Sequence, residues 1–300
     1  MFKIGDRGDQ VKQFQEALLE LGAALPRWGA DADFGGETAS ALVHVLFEQG
    51  RAHPDDPDKD VADDQEVALV YDLLARRRAM AAQAVPEPDQ LVDRRPIVGP
   101  YGDYGPRPWD KITGACLHQT ACVMSGSRDP ARMDKVTAHF LIARAAGGHY
   151  KDGDVLWLHD FNRLVAHGNG FNRLTWGVEV DGLFAGVEGD PRTVWDDRST
   201  RWVEQAVSIT DAQVHSLKQL VRWGKHVIDS LGGMMNVIVP HRCSSRSRAN
   251  DPGSRTWGVA RELMAELGLH DGGPGFCIHD GAGGKPIPET WDPSRKGIPY

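Results

Sequence analysis

Apolar side chains recur at helical spacing in three places near the start of the chain. Val11, Phe14, Leu18 and Leu21 make the first stripe, with Gly22 standing where a helix would stop. Ala39, Leu42, Val43, Leu46 and Phe47 make the second, after the turn-rich run Asp31-Ala32-Asp33-Phe34-Gly35-Gly36. An acidic stretch from Asp55 to Glu66 leads into the third, Val67, Val70, Tyr71 and Leu74, and Asp63 and Glu66 have capping-box spacing at its start. Residues 1–83 are therefore expected to form a small three-helix bundle. Residues 84–108 carry Pro86, Pro88, Pro96, Pro100, Pro106 and Pro108, a density that predicts a stiff linker without regular structure.

Beyond the prolines the pattern changes. Partly alternating apolar runs at 112–117, 138–143, 155–158 and 176–180 predict strands. Asp211 to Leu231 predicts a long amphipathic helix with Val214, Leu217, Leu220, Val221, Ile228 and Leu231 on its apolar side. A short strand, Val237 to Val239, runs into Pro240-His241, and a last helix is expected from Val259 to Leu267. Strands interleaved with helices over 109–268 predict an α/β fold, a central mixed sheet flanked by helices. Residues 269–300 are rich in Gly and Pro and are expected to form a tail without regular structure, draped over the body.

Composition narrows the picture. A chain of 300 residues suggests two domains, and 41% hydrophobic with 25% charged residues allows a normal buried core. A net charge of -8 argues against nucleic acid as a partner but leaves glycans and peptides open. The opening Met1–Asp9 has no apolar leader, and no run approaches the ~20 apolar residues of a membrane helix. The expectation is a protein made in the cytoplasm without a signal peptide and with no membrane partner. Cys116, Cys122, Cys243 and Cys277 form no CxxC pair, which excludes a four-cysteine zinc knot and leaves buried or free thiols.

Two histidines stand where strands should end: His118 after the run from Ile112 to Leu117, and His241 after Val237-Ile238-Val239. They face each other if those strands are neighbours. Asp251 lies ten residues past His241 in Asp251-Pro252-Gly253, where the proline would aim the carboxylate from a turn. Two histidines and a carboxylate leave a fourth tetrahedral position open, the pattern of hydrolytic zinc sites. Among 12 histidines, spacing alone does not single these out.

A resemblance does. Cys116-Leu117-His118-Gln119-Thr120-Ala121 resembles the first motif of the zinc N-acetylmuramoyl-L-alanine amidases, the amidase-2 or peptidoglycan-recognition-protein-like family. Thr137-Ala138-His139-Phe140, Ala166-His167-Gly168-Asn169, Trp176-Gly177-Val178-Glu179-Val180, Thr210-Asp211-Ala212-Gln213 and His241 with Asp251-Pro252-Gly253 resemble its later motifs, in order, over roughly 109–268. Gly5-Asp6-Arg7-Gly8-Asp9-Gln10-Val11 and Ala32-Asp33-Phe34-Gly35-Gly36-Glu37-Thr38 are similar to the peptidoglycan-binding-1 three-helix domain. The resemblance implies Zn2+ held by His118, His241 and Asp251, Glu179 as the catalytic acid–base group, and a substrate groove with His139, His167 and Asn169. It also implies hydrolysis of the amide between N-acetylmuramic acid and L-alanine, with glycan strand and stem peptide as partners; a monomer is expected.

One position departs from the family. The lysine usual two residues before the aspartate is Ala249 here, so Arg248 or Arg246 is expected to supply the positive charge for the oxyanion, with His139 or His167 as the alternative donor should neither arginine serve. Cys243 stands as a rival third ligand, since some relatives use cysteine, although it lies only two residues after His241. The expected setting is a phage endolysin reaching the cell wall through a holin, with a secreted toxin as a variant. A recycling amidase acting on soluble muropeptides and a non-catalytic recognition protein are the alternatives.

Overall fold

Three amphipathic helices and a two-stranded ribbon build the first unit of the computed structural model, which describes residues 1–49, 51, 60–82, 85–125, 129–145, 148–194, 206–278 and 283–300. Its elements are β1 (Phe2–Lys3), α1 (Asp9–Glu20), α2 (Gly36–Glu48), β2 (Val61–Ala62), antiparallel to β1, and α3 (Asp64–Ala82). The three stripes meet as read: Val11, Phe14, Leu18, Leu42, Leu46, Val70 and Leu74 are buried in one core. Asp63 caps α3, its Oδ1 accepting from the Gln65 and Glu66 amides at 2.8 Å, while Glu66 accepts back from the Asp63 amide at 3.1 Å. Positions 55–59 of the acidic stretch lie outside the described residues.

The chain divides into two compact units, Met1–Ala84 with the short segments Pro106–Lys111 and His226–Gly233, and the remainder, Val85–Gly105, Ile112–Lys225 and Met234–Tyr300. The second unit contains β3 (Leu91–Asp93), the single turn α4 (Arg95–Val98), β4 (Asp103–Pro106), β5 (Gly114–Gln119), β6 (Phe140–Ile142), β7 (Val155–Trp157), β8 (Arg163–Val165) and β9 (Thr175–Val180). The long helix α5 (Asp211–Ser230), of which the part up to Lys225 belongs to this unit, β10 (Val237–Pro240) and α6 (Ser254–Leu267) follow. The sheet has the order β10-β5-β9-β6-β7-β3; β10, β5, β9 and β6 run parallel, β7 runs antiparallel to β6, and β3 is parallel to β7. It is a mixed sheet flanked by helices, as the interleaved pattern predicts.

Side-chain alternation gives the sheet two different faces. One carries Leu117, Phe140, Trp176, Val178 and Val180, all fully buried. Phe140, Trp157, Phe161, Trp176 and Trp223 interlock there at ring separations of 4.9–6.1 Å. Gly224 of α5 lets the helix close on this cluster, since a Cβ there would stand 2.9 Å from the Trp176 ring. The other face carries Cys116, His118, Gly177 and Glu179, paired Cys116 with Gly177 and His118 with Glu179 across β5 and β9.

Three readings need correction. The segment 84–108 is not simply a linker: β3 is the edge strand of the main sheet, with Leu91 paired to Val155. The prolines leave Asp89–Arg95 clear, long enough for a three-residue strand whose outer side needs no ladder partner. His118 does not follow β5 but lies within its last turn of pleat, because β5 continues to Gln119. Helix α6 starts at Ser254 rather than Val259; Gly258 masks it in sequence, and burial of Thr256 and Trp257 outweighs the ~1 kcal/mol glycine cost. The tail has no helix or strand among its described residues, yet Ile287, Trp291, Asp292 and Arg295 are buried against the second unit.

Candidate active site

Parallel strands open their functional ends on one edge, and here the C-terminal ends of β5, β9 and β10 deliver the polar groups together. Pairing of Pro240 with Leu117 puts the next residue, His241, beside His118. The two Nδ1 atoms stand 2.9 Å apart, and His241 Nδ1 is 3.0 Å from Asp251 Oδ2. All three residues are at most 9% exposed. Their donor atoms lie within 4.8 Å of one another, a grouping able to hold a metal ion.

Hydrogen bonds fix the proton on each ring. The carbonyl of Thr175 can only accept, so His167 Nε2, 3.0 Å away, donates to it. His167 Nδ1 must then accept from His118 Nε2 at 3.1 Å, which leaves His118 Nδ1 as a lone pair aimed at His241 and Asp251. Burial, reinforced by the His241 and His167 rings, holds the His118 pKa well below the usual histidine range and keeps it neutral. Two acceptors, His118 Nδ1 and Asp251 Oδ2, thus flank His241 Nδ1, which can donate its proton to only one of them; a cation in place of that proton would satisfy all three atoms.

The aspartate is held from both sides. Its Oδ1 accepts from the Gln119 amide at 2.9 Å. The Gln119 side chain donates to Asn250 O at 2.7 Å and accepts from the Phe184 amide at 2.6 Å. Asn250 in turn donates to Phe184 O and Val194 O. Gln119 and Asn250 are positioning residues that the sequence reading did not single out, although each adjoins a predicted ligand.

A cleft of about 560 Å³ opens on this cluster, lined among others by Lys135, His167, Asn169, Glu179, Arg248 and Asp251. Glu179 shares the His118 face, and its Oε2 has no hydrogen-bond partner among the described residues. Burial, then the nearby Asp251 charge, pushes its carboxyl up to about 8, with Arg248 opposing. Of the two arginines proposed to replace the lysine, Arg248 lines the cleft, whereas Arg246 lies against Gly283. Lys135 is a second cation on the cleft wall that the sequence reading missed, because only the fold brings residue 135 here.

Two expectations change. His139 is fully buried, accepting from the Gly177 amide at 2.9 Å through Nδ1 and donating to Arg163 O at 2.9 Å through Nε2. It packs β6 against its neighbours and does not line the cleft, so its reading as a substrate-binding residue is withdrawn. Cys243 is fully buried, belongs to neither metal-capable grouping among the described residues, and burial pushes its thiol up to about 12. The second such grouping is Cys116, His118 and His167. Cys116 is fully buried with its thiol raised well above the usual range, and His118 and His167 already share a proton. His241 and Asp251 of the first trio line the cleft, whereas only His167 of the second does.

Fold and site together define an α/β unit with a candidate metal-binding triad at the C-terminal edge of its sheet, beside a cleft that also bears Glu179, Lys135 and Arg248. Within it, residues 108–254 match the family model of the N-acetylmuramoyl-L-alanine amidases. Two solved proteins of Clostridium intestinale, the endolysin amidase LysCS and the N-acetylmuramoyl-L-alanine amidase LysC, are similar at 17% identity each. They cover 62% and 60% of this chain and 99% and 97% of their own, with TM-scores of 0.38 and 0.37. A curated relative, the type VI secretion system spike protein VgrG3 of Vibrio cholerae, is 38% identical over 56 residues, 19% of this chain and 6% of its own length. At these levels of similarity only the 108–254 match bears on the reaction. No helix among the described residues is long and apolar enough to cross a membrane.

Proposed function

We propose that the protein hydrolyses the amide bond between N-acetylmuramic acid and L-alanine in peptidoglycan, using zinc held by His118, His241 and Asp251. The convergence of His118 Nδ1, His241 Nδ1 and Asp251 Oδ2 beside the cleft, within the amidase-matched segment, carries this reading. The ligand types suit zinc, and separations of 2.9 and 3.0 Å are a few tenths short of the roughly 3.3 Å between tetrahedral zinc ligands. A zinc ion held there supplies Lewis acidity to the scissile carbonyl and a positive charge that favours ionised Glu179.

The chain's own residues do the rest. Glu179 takes a proton from the attacking water at Oε2 and returns it to the departing alanine nitrogen, the role its raised pKa and open oxygen suit. Arg248 donates to the developing oxyanion, and Arg cannot lose its own proton in doing so. Asn169 and His167 line the groove for the glycan and stem peptide. The first unit, with its helical bundle, binds the polymer and raises the local concentration of bonds to be cut.

The proposed setting is a wall-lytic enzyme of endolysin type, monomeric and released to the wall through a holin. The 56-residue likeness to a secretion-system spike protein favours one other route, export as an antibacterial effector with the same chemistry. Purified protein should release free stem peptide from intact sacculi, lose that activity with chelator, and lose it with His118→Ala. Cleavage of soluble muropeptides alone would sink the lytic reading in favour of recycling, and binding without cleavage would favour recognition.

A further inference from the structure

The described residues after Leu267 lie outside the amidase-matched segment, yet they close on the loop that carries two of the three proposed ligands. Arg242 is where they meet. It directly follows His241, is 1% exposed, and grips the aspartate loop twice: its backbone N–H donates to Asp251 O at 3.2 Å, and its Nη1 donates to Ala249 O at 2.5 Å. The same residue grips the tail. Its Nε donates to Pro286 O at 3.0 Å, and its carbonyl accepts from the Lys285 amide at 2.8 Å. The flat guanidinium lies 4.8 Å from the Trp291 ring and 5.1 Å from the Tyr300 ring.

The tail is anchored in turn. Trp291 is 3% exposed, donates through Nε1 to Gly186 O and packs by the Trp257 ring of α6 at 6.4 Å. Tyr300 donates to Thr193 O at 3.2 Å, and Gly186 leaves room for its ring, since a Cβ there would overlap the hydroxyl. Arg295 pairs with Asp271 in a buried ion pair. Upstream, the Ile278 amide donates to Cys243 O at 2.7 Å.

We propose that residues 283–300 form a strap that sets the spacing of His241 and Asp251 through Arg242, so that metal retention depends on Trp291 and Tyr300. The proposal rests on the zinc reading above. Arg242 is a positioning residue in it, since it touches the loop and not the metal. A planar, forked cation is needed because one side chain must donate to Ala249 O and Pro286 O while stacking between two rings. Lysine keeps the charge but supplies neither the fork nor the flat face.

The test uses the full chain and a chromogenic zinc chelator as competitor, with the melting temperature of the metal-free protein measured alongside. Arg242→Lys and Trp291→Leu are expected to weaken zinc binding about 10- to 100-fold, the range for groups that orient a ligand. Trp291→Phe, which keeps an aromatic face for the guanidinium, should recover most of the loss, and Tyr300→Leu should show a smaller loss. If Trp291→Leu cannot be purified folded, the Arg242→Lys and Tyr300→Leu pair decides the matter. Parent-like zinc affinity in folded Arg242→Lys and Tyr300→Leu would overturn the strap. So would losses of affinity that merely follow the loss of melting temperature, without rescue by Trp291→Phe. If the parent binds no zinc that His118→Ala abolishes, the zinc reading itself fails and the strap falls with it.

Discussion

At the scale of single residues, Glu179 is the group whose chemistry depends most on its surroundings. The same side chain on an open strand would be an ordinary solvated acid; half-buried beside Asp251, its carboxyl rises to about 8. Glu179→Gln is expected to lower kcat about 10²- to 10⁴-fold with little change in zinc affinity, measured by stem-peptide release and metal titration. For the oxyanion, Arg248→Ala should cost about 10²- to 10³-fold in kcat and Arg246→Ala very little. A parent-like rate for Arg248→Ala would transfer the role to Lys135, the other cation on the cleft wall. The sequence names Glu179 and Arg248 through motif position. It gives no hint of Lys135, whose relevance comes from where a distant segment folds.

At the scale of elements, register decides which residues share the site. A strand pattern read from sequence says that Glu179 faces away from Val178 and Val180; the pairing of β5 with β9 says that it faces His118. Gly177 shows how tightly this face is fitted. A Cβ there would stand 2.5 Å from the His167 ring, so the glycine is what allows the imidazole to lie over β9 and orient His118. Gly177→Ala is expected to destabilise the metal-free protein by about 1–3 kcal/mol and to weaken zinc binding as His167 is displaced. Urea unfolding and metal titration would check it, and an unchanged zinc affinity would remove His167 from the orienting role. His139 is the counter-example: its motif position suggests a groove residue, but pairing between β6 and β9 turns it into the interior, where two backbone groups satisfy it. Edge strand β3 was hidden for another reason, since three residues between prolines carry too little pattern to read.

At the scale of the whole molecule, the metal-free protein should carry the mark of two oppositely perturbed groups. For Glu179 the folded-state pKa lies above the unfolded value of 4.5, so the fold binds more protons between about pH 4.5 and 8 and loses stability as pH rises through that window. For His118 and His159 the folded values are lowered by burial, so the unfolded chain binds more protons below the usual ~6.5, and stability is lost as pH falls. Stability of chelated protein is therefore expected to peak near pH 6–7. Fluorescence-monitored urea unfolding across pH 5 to 9 would show it. In Glu179→Gln the decline above pH 7 should flatten, and an unchanged decline would mean that Glu179 is already ionised in the metal-free fold.

Sequence alone determined the helical bundle at the start of the chain, the interleaved strands and helices after it, and the identity of His118, His241, Asp251 and Glu179 as the residues to watch. Periodicity and capping are local properties, and motif spacing survives without coordinates. Tertiary structure decided which of these groups meet. It joined His118 to His241 across 123 positions, put Arg248 rather than Arg246 on the cleft wall, turned His139 inward, buried Cys243, and folded a Gly- and Pro-rich tail around Arg242. Those outcomes depend on strand register and on burial of residues far apart in the chain, and no local pattern encodes them.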